Sequence, residues 1–234
     1  LGHPRIEAVR GVSFSIQPGE ILGLAGESGS GKSVASLSLT RLLPGTARAR
    51  YGGSVQLAGV PGNLLTLNER RLRRLRGRRI ACIFQEPSSS FNPVHTIGTH
   101  FAEVLRVRGI PASEHRERML RALEEVEISP DREHLDAYPG NFSGGMLQRA
   151  AIACSLLGSP DLLLADEPTT ALDTTTQKRI TDLLVRLNRQ TGMSILFISH
   201  DLGLLKQFTR RLLVMRQGTI VESGPTESLL QKPA

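Results

Sequence analysis

Cysteine is scarce in this sequence: two residues in 234, Cys82 and Cys154, 72 positions apart and each among apolar neighbours. That excludes a disulfide-built scaffold and points to reduced thiols in a core. Tryptophan is absent, and the two tyrosines and seven phenylalanines do not interleave with the basic residues. Stacking on nucleic-acid bases is therefore unsupported. No run of 18 apolar residues occurs, so no membrane-spanning helix is expected. There is no signal peptide, internal repeat or low-complexity tract. The chain does not begin with Met, which places the expected true N-terminus further upstream.

What is present is globular: 39% hydrophobic and 22% charged residues. A chain of this length makes one domain, or one domain with a subdomain, and can bury a sizeable core. The net charge of +7 is local, because seven arginines fall between positions 70 and 79 (Arg70, Arg71, Arg73, Arg74, Arg76, Arg78, Arg79). Without them 22 basic residues face 22 acidic ones. That patch reads first as a solvated helix face, and second as a contact for phosphate, acidic protein or lipid headgroups.

The patterning alternates strands and helices. Strands are expected at Val12–Ile16, Ile21–Ala25, Ser54–Leu57, Arg79–Phe84, Leu162–Ala165 and Ile195–Ile198, with a hairpin of Leu212–Met215 and Thr219–Glu222 around Gln217-Gly218. Helices are expected at Ser33–Leu43, Glu69–Arg76, through about Ile97–Glu127, at Thr174–Gln190 and over 201–208. The fold class is α/β: a mainly parallel sheet, a small antiparallel β region and an inserted helical subdomain. The expected division is a core of 1–93 and 159–234, with residues 94–158 as the helical part.

Three motifs carry chemistry. Gly26-Glu27-Ser28-Gly29-Ser30-Gly31-Lys32-Ser33 follows an apolar strand and opens a helix, which is the phosphate-loop pattern in its proper context. Its glycines let backbone N–H groups curl around phosphate oxygens, and the helix N-terminus adds its dipole. Lys32 reaches the β- and γ-phosphates, and Ser33 ligates Mg²⁺. Next, Leu162–Ala165 delivers Asp166 and Glu167 at the C-terminal end of a buried strand, the edge where ligands bind. Asp166 suits Mg²⁺, directly or through water, and Glu167 suits a general base on water. Third, Ser143 caps a helix whose first residues, Gly144 and Gly145, expose N–H groups. One nucleotide cannot use both anion-binding ends, so this surface is expected to meet a nucleotide held by another subunit.

Phe142-Ser-Gly-Gly-Met-Leu-Gln-Arg149 resembles the signature motif of ATP-binding cassette (ABC) proteins, commonly Leu-Ser-Gly-Gly-Gln. The sequence departs at Phe142 and at Met146, which removes a side-chain amide able to contact the partner's nucleotide. By the same resemblance Gln85 is the glutamine linking Mg²⁺ and attacking water to transmembrane subunits, Ala171-Leu172-Asp173 is the D-loop, and His200 contacts the γ-phosphate. The implied catalytic set is Glu167, His200, Lys32 and Gln85. Ser33, Gln85 and Asp166 are implied for Mg²⁺, and the phosphate loop with Ser143, Gly144, Gly145 and Asp173 for ATP. The family's adenine-stacking position falls near His3, where no aromatic residue other than that histidine stands. His95, His100, His115 and His134 show no metal-ligand spacing.

The wording from Ile83 to His100, with Ser143–Arg149 and Asp166–Asp173, is similar to the peptide/nickel importer subfamily. The resemblance implies an ATPase powering import of nickel or of di- or oligopeptides across the bacterial inner membrane, from its cytoplasmic face. It implies two permease subunits, a second ATPase subunit that is related rather than identical, and indirectly a periplasmic or extracellular solute-binding protein. The alternative is an ABC ATPase acting on nucleic acid. Only 109 residues separate Ser33 from Ser143, without heptads, so the long coiled coils of the DNA-handling group are absent and no nucleic acid is expected.

Overall fold

A computed structural model describes residues 6–43, 49–170 and 172–231. Six strands form one sheet: β1 (Ile21–Ala25), β2 (Ile80–Ile83), β3 (Leu162–Asp166), β4 (Ser194–Ser199), β5 (Arg211–Arg216) and β6 (Thr219–Pro225). Their spatial order is β2-β3-β4-β1-β5-β6. All pairs are parallel except β5–β6, the expected hairpin, turned by Gln217 and Gly218 at φ 47° and 82°. Two consecutive positive φ values fit the two-residue turn that matches strand twist.

The helices are α1 (Lys32–Thr40), α2 (Glu69–Leu75), α3 (Ile97–Val107), α4 (Ala112–Glu125), α5 (Arg132–Asp136), α6 (Gly144–Leu156), α7 (Thr174–Thr191), α8 (Leu202–Lys206) and α9 (Thr226–Gln231). Helices α3–α6 occupy the chain between β2 and β3. The strand pleat sorts the core in two. In β4, Ile195 and Phe197 join the cluster packed with α3–α7, whereas Leu196 and Ile198 join Leu22, Leu24 and Ala35 on the other face. Phe101 and Phe197 are fully buried, each contributing about 1.5–3 kcal/mol of transfer free energy. Both cysteines are free thiols, and burial pushes Cys82 up to about 11 and Cys154 up to about 12.

Three expectations need correction. Val12–Ile16 keeps its alternation, with Val12, Phe14 and Ile16 packed on the second core cluster, but it ladders with none of the six strands. Ser54–Leu57 is likewise not a strand. Leu57 forms one isolated bridge to Val60, and Val55 N–H donates to Asn63 Oδ1 at 2.9 Å, so an asparagine-centred turn takes the bonds a ladder would need. The arginine run is not one solvated face. Arg70, Arg71, Arg73 and Arg74 are exposed, but Arg76 Nε donates to Thr40 O at 2.9 Å, Arg78 Nη2 to Val107 O at 2.8 Å and Arg79 pairs with Asp161. Those three fasten α1, α3 and β3 to the segment entering β2.

Candidate functional site

The parallel strands deliver four segments to one edge: Gly26 after β1, Gln85 after β2, Glu167 after β3 and His200 after β4. The register places Ala25 beside Ser199 and Asp166 beside Ile198. This is the carboxyl edge on which ligands of open α/β sheets bind.

Glycine is obligatory at two loop positions. A Cβ on Gly26 (φ 152°) would stand 2.2 Å from Met215 O, and one on Gly31 (φ 102°) 2.5 Å from Ala8 O. Gly31 is the N-cap of α1, with no side-chain cap and no acidic residue in the first turn. The first-turn N–H groups and the positive dipole end are therefore left for an anion. Lys32, 4% exposed, donates from Nζ to Gly26 O at 2.8 Å and Glu27 O at 2.9 Å. A phosphate oxygen is a stronger partner for a buried ammonium than these carbonyls are. Ser30 Oγ, buried in the same loop, has no hydrogen-bond partner among the described residues.

Asp166 Oδ1 accepts from Ser33 Oγ at 3.0 Å. Burial pushes its carboxyl above the usual range and the Glu167 charge adds to that, while the Ser33 bond and Lys32 pull it down. A desolvated carboxylate beside a hydroxyl is a hard-oxygen donor pair, and it fits Mg²⁺.

Glu167 sits at φ 45°, rare for a non-glycine residue. Its N–H donates to Ile198 O at 3.1 Å, and its side chain is 13% exposed. Three groups meet its Oε2: Thr170 Oγ1 donates at 2.8 Å, Gln85 Nε2 at 3.4 Å, and His200 Nδ1 lies 3.3 Å away. Oε1 has no hydrogen-bond partner among the described residues. Gln85, expected beside the metal ligands, thus hydrogen-bonds the candidate base, while Ser33 and Asp166 pair with each other.

Gly26–Gly29, Gly31–Ser33, Gln85, Glu167, Thr170 and His200 line one open cleft of about 1250 Å³. Ala8, Arg10, Met215 and Gly218 line it as well, as does Thr170, and no motif in the sequence announces any of them. The first four come from the N-terminal segment and the β5–β6 hairpin, whose approach no local pattern signals. His3 lies outside the described residues. Ile6, 87% exposed, also lines the cleft.

The glycine-bearing tip of α6 is elsewhere. Ser143, Gly144 and Gly145 do not line the cleft. Ser143 Oγ accepts from Met146 N–H at 3.3 Å. A Cβ on Gly145 would stand 2.7 Å from Thr176 Cγ2, so the tip packs on the first turn of α7. Asp173 caps that turn, accepting from the N–H groups of Thr175 and Thr176 at 3.0 Å and from Thr176 Oγ1 at 2.6 Å. Those bonds hold its carboxyl below the usual range. Gln177 Nε2 donates to Thr169 O at 3.1 Å, which ties α7 to the turn carrying Glu167.

Known proteins similar to this chain in sequence and in fold are numerous. The family model described as ABC transporter matches residues 9–170. The chain is 46% identical over 227 residues to a probable peptide ABC transporter ATP-binding protein, y4tR, of Sinorhizobium fredii, covering 97% of this chain and 67% of that protein. It is 48% identical over 227 residues to the peptidoglycan transport ATP-binding protein YejF of Agrobacterium fabrum, covering 97% of this chain but 41% of that one. The described fold matches the ATP-binding cassette MJ0796, solved as a dimer bound to ADP and Pi, with a TM-score of 0.82 and 28% identity, covering 97% of this chain and 94% of that chain.

Proposed function

The chain belongs to the ABC transporter family and is an ATPase, and on that premise we propose that it powers import of peptides through permease subunits of a bacterial inner membrane. The phosphate loop and Glu167, the residue just beyond β3, lining one cleft carry this reading. The names of the relatives direct it to peptides. No helix among the described residues is long and apolar enough to cross a membrane. On this reading the chain works from the cytoplasmic face, peripheral to two permease subunits, with a solute-binding protein delivering cargo outside.

ATP binds with its phosphates on Gly26–Ser33. Ser33, Asp166 and Gln85 would hold Mg²⁺, which when bound neutralises phosphate charge. Lys32 and His200 stabilise charge on the γ-phosphoryl group. Glu167 takes a proton from water, whose oxygen bonds to the γ-phosphorus as the bond from that phosphorus to the bridging oxygen breaks, giving ADP and phosphate. Ser143, Gly144 and Gly145, turned away from this chain's own cleft, complete the site of a second, related ATPase subunit, with Asp173 at the same seam. The helical segment 94–158 moves with the permeases as the pair closes.

The test is co-purification with the neighbouring permeases and import into proteoliposomes. ATP-dependent uptake of a labelled dipeptide is expected. Uptake of nickel alone would redirect the cargo to metal, and DNA-stimulated hydrolysis without permease binding would overturn the transporter reading.

A further inference from the structure

We propose that Thr170 is a positioning residue for hydrolysis: its hydroxyl turns Glu167 so that Oε1, and not Oε2, receives the proton from water. The inference rests on the reading of Glu167 as general base.

Thr170 Oγ1 makes the shortest of the three approaches to Oε2, 2.8 Å against 3.3 Å for His200 Nδ1 and 3.4 Å for Gln85 Nε2. The other two belong to groups that the proposed chemistry needs at the phosphate or the metal. When they engage there, Thr170 is the donor that stays, because it sits in the same turn as the base. Its N–H donates to Glu167 O at 3.2 Å, fixing the hydroxyl three residues beyond the carboxylate. The backbone at Glu167 is fixed as well, by its positive φ and its bond to Ile198 O. With main chain and one carboxylate oxygen both held, the remaining freedom of Oε1 is small. A base held within hydrogen-bond reach of one direction loses little on proton transfer. The backbone bond is open to any residue other than proline at 170; the hydroxyl bond needs serine or threonine. Thr170 keeps its own proton throughout.

The experiment compares wild type, Thr170→Val, Thr170→Ser and Glu167→Gln in the complex assembled with its natural partner subunits. Valine preserves shape and removes the donor. We expect kcat of Thr170→Val to fall about tenfold with KM for ATP within twofold of wild type, and Thr170→Ser to keep at least half of wild-type kcat. A Thr170→Val kcat within twofold of wild type, a Thr170→Ser variant as impaired as valine, or a loss carried by KM instead of kcat would overturn the inference. Wild-type activity in Glu167→Gln would instead remove the reading beneath it, so the two failures are distinguishable.

Discussion

Ser33 and Asp166 lie 133 positions apart in the chain, yet the Ser33 hydroxyl donates to the Asp166 carboxylate at 3.0 Å. That bond joins the first turn of α1, where Ser33 lines the cleft, to the buried end of β3. It does not fully compensate the buried charge, because the carboxyl still stands above its ordinary range, from burial first and the Glu167 charge after it.

The folded chain holds the Asp166 proton more tightly than the unfolded chain, so native stability falls as pH rises from the unfolded value of 3.8 through the raised folded value. Asp166→Asn removes that penalty. Without nucleotide, the variant is expected to melt at or above the wild-type temperature at pH 7, and to gain less than wild type when Mg²⁺-ATP is added. Thermal melts at pH 4 and 7, with and without Mg²⁺-ATP, check both.

Glu20 behaves oppositely. Burial alone would raise its carboxyl, but the Arg211 side-chain bonds and the Gln17 N–H more than offset that and hold it low. Arg211 Nε meets Oε1 at 2.8 Å and Nη2 meets Oε2 at 3.0 Å, a fork that links the entry of β1 to β5. The contribution is present above pH 4.5 and lost as pH falls through the depressed folded value. Glu20→Gln is expected to cost about 1 kcal/mol at pH 7, of the order known for exposed to half-buried pairs, and less near pH 3. Urea unfolding at the two pH values measures it.

Gly158 admits no side chain. A Cβ there would stand 1.8 Å from Gly77 O, a backbone atom that cannot swing aside. Gly158→Ala is expected to cost about 1–3 kcal/mol, the usual range for forced overpacking. Gly52→Ala, with nothing within 4 Å of its Cβ, serves as the control. Denaturant midpoints of the two variants separate the effects.

The sequence disclosed those features whose physics is local. The glycine loop, the apolar β3 ending in two acids and the Ser143 cap each carry their signature within eight residues. The β5–β6 hairpin was legible because Gln217-Gly218 supplies the positive φ values. Val12–Ile16 misled because alternation reports burial on one side, and that segment has the burial without the ladder. Arg76, Arg78 and Arg79 misled because charge in a run looks solvated, while their partners Thr40, Val107 and Asp161 are distant in sequence. Thr170 carried no signal, since a threonine in a turn is ordinary until a carboxylate is seen against it.

In the proposed function Glu167 draws the proton from water in an ATP-binding cleft. Single-turnover hydrolysis and ATP retention by the assembled complex, wild type against Glu167→Gln, decide whether it does. We expect the variant to retain ATP while the hydrolytic step slows by roughly 10²–10⁴, or about 3–5 kcal/mol of barrier. Equal hydrolysis rates in the two proteins would contradict it.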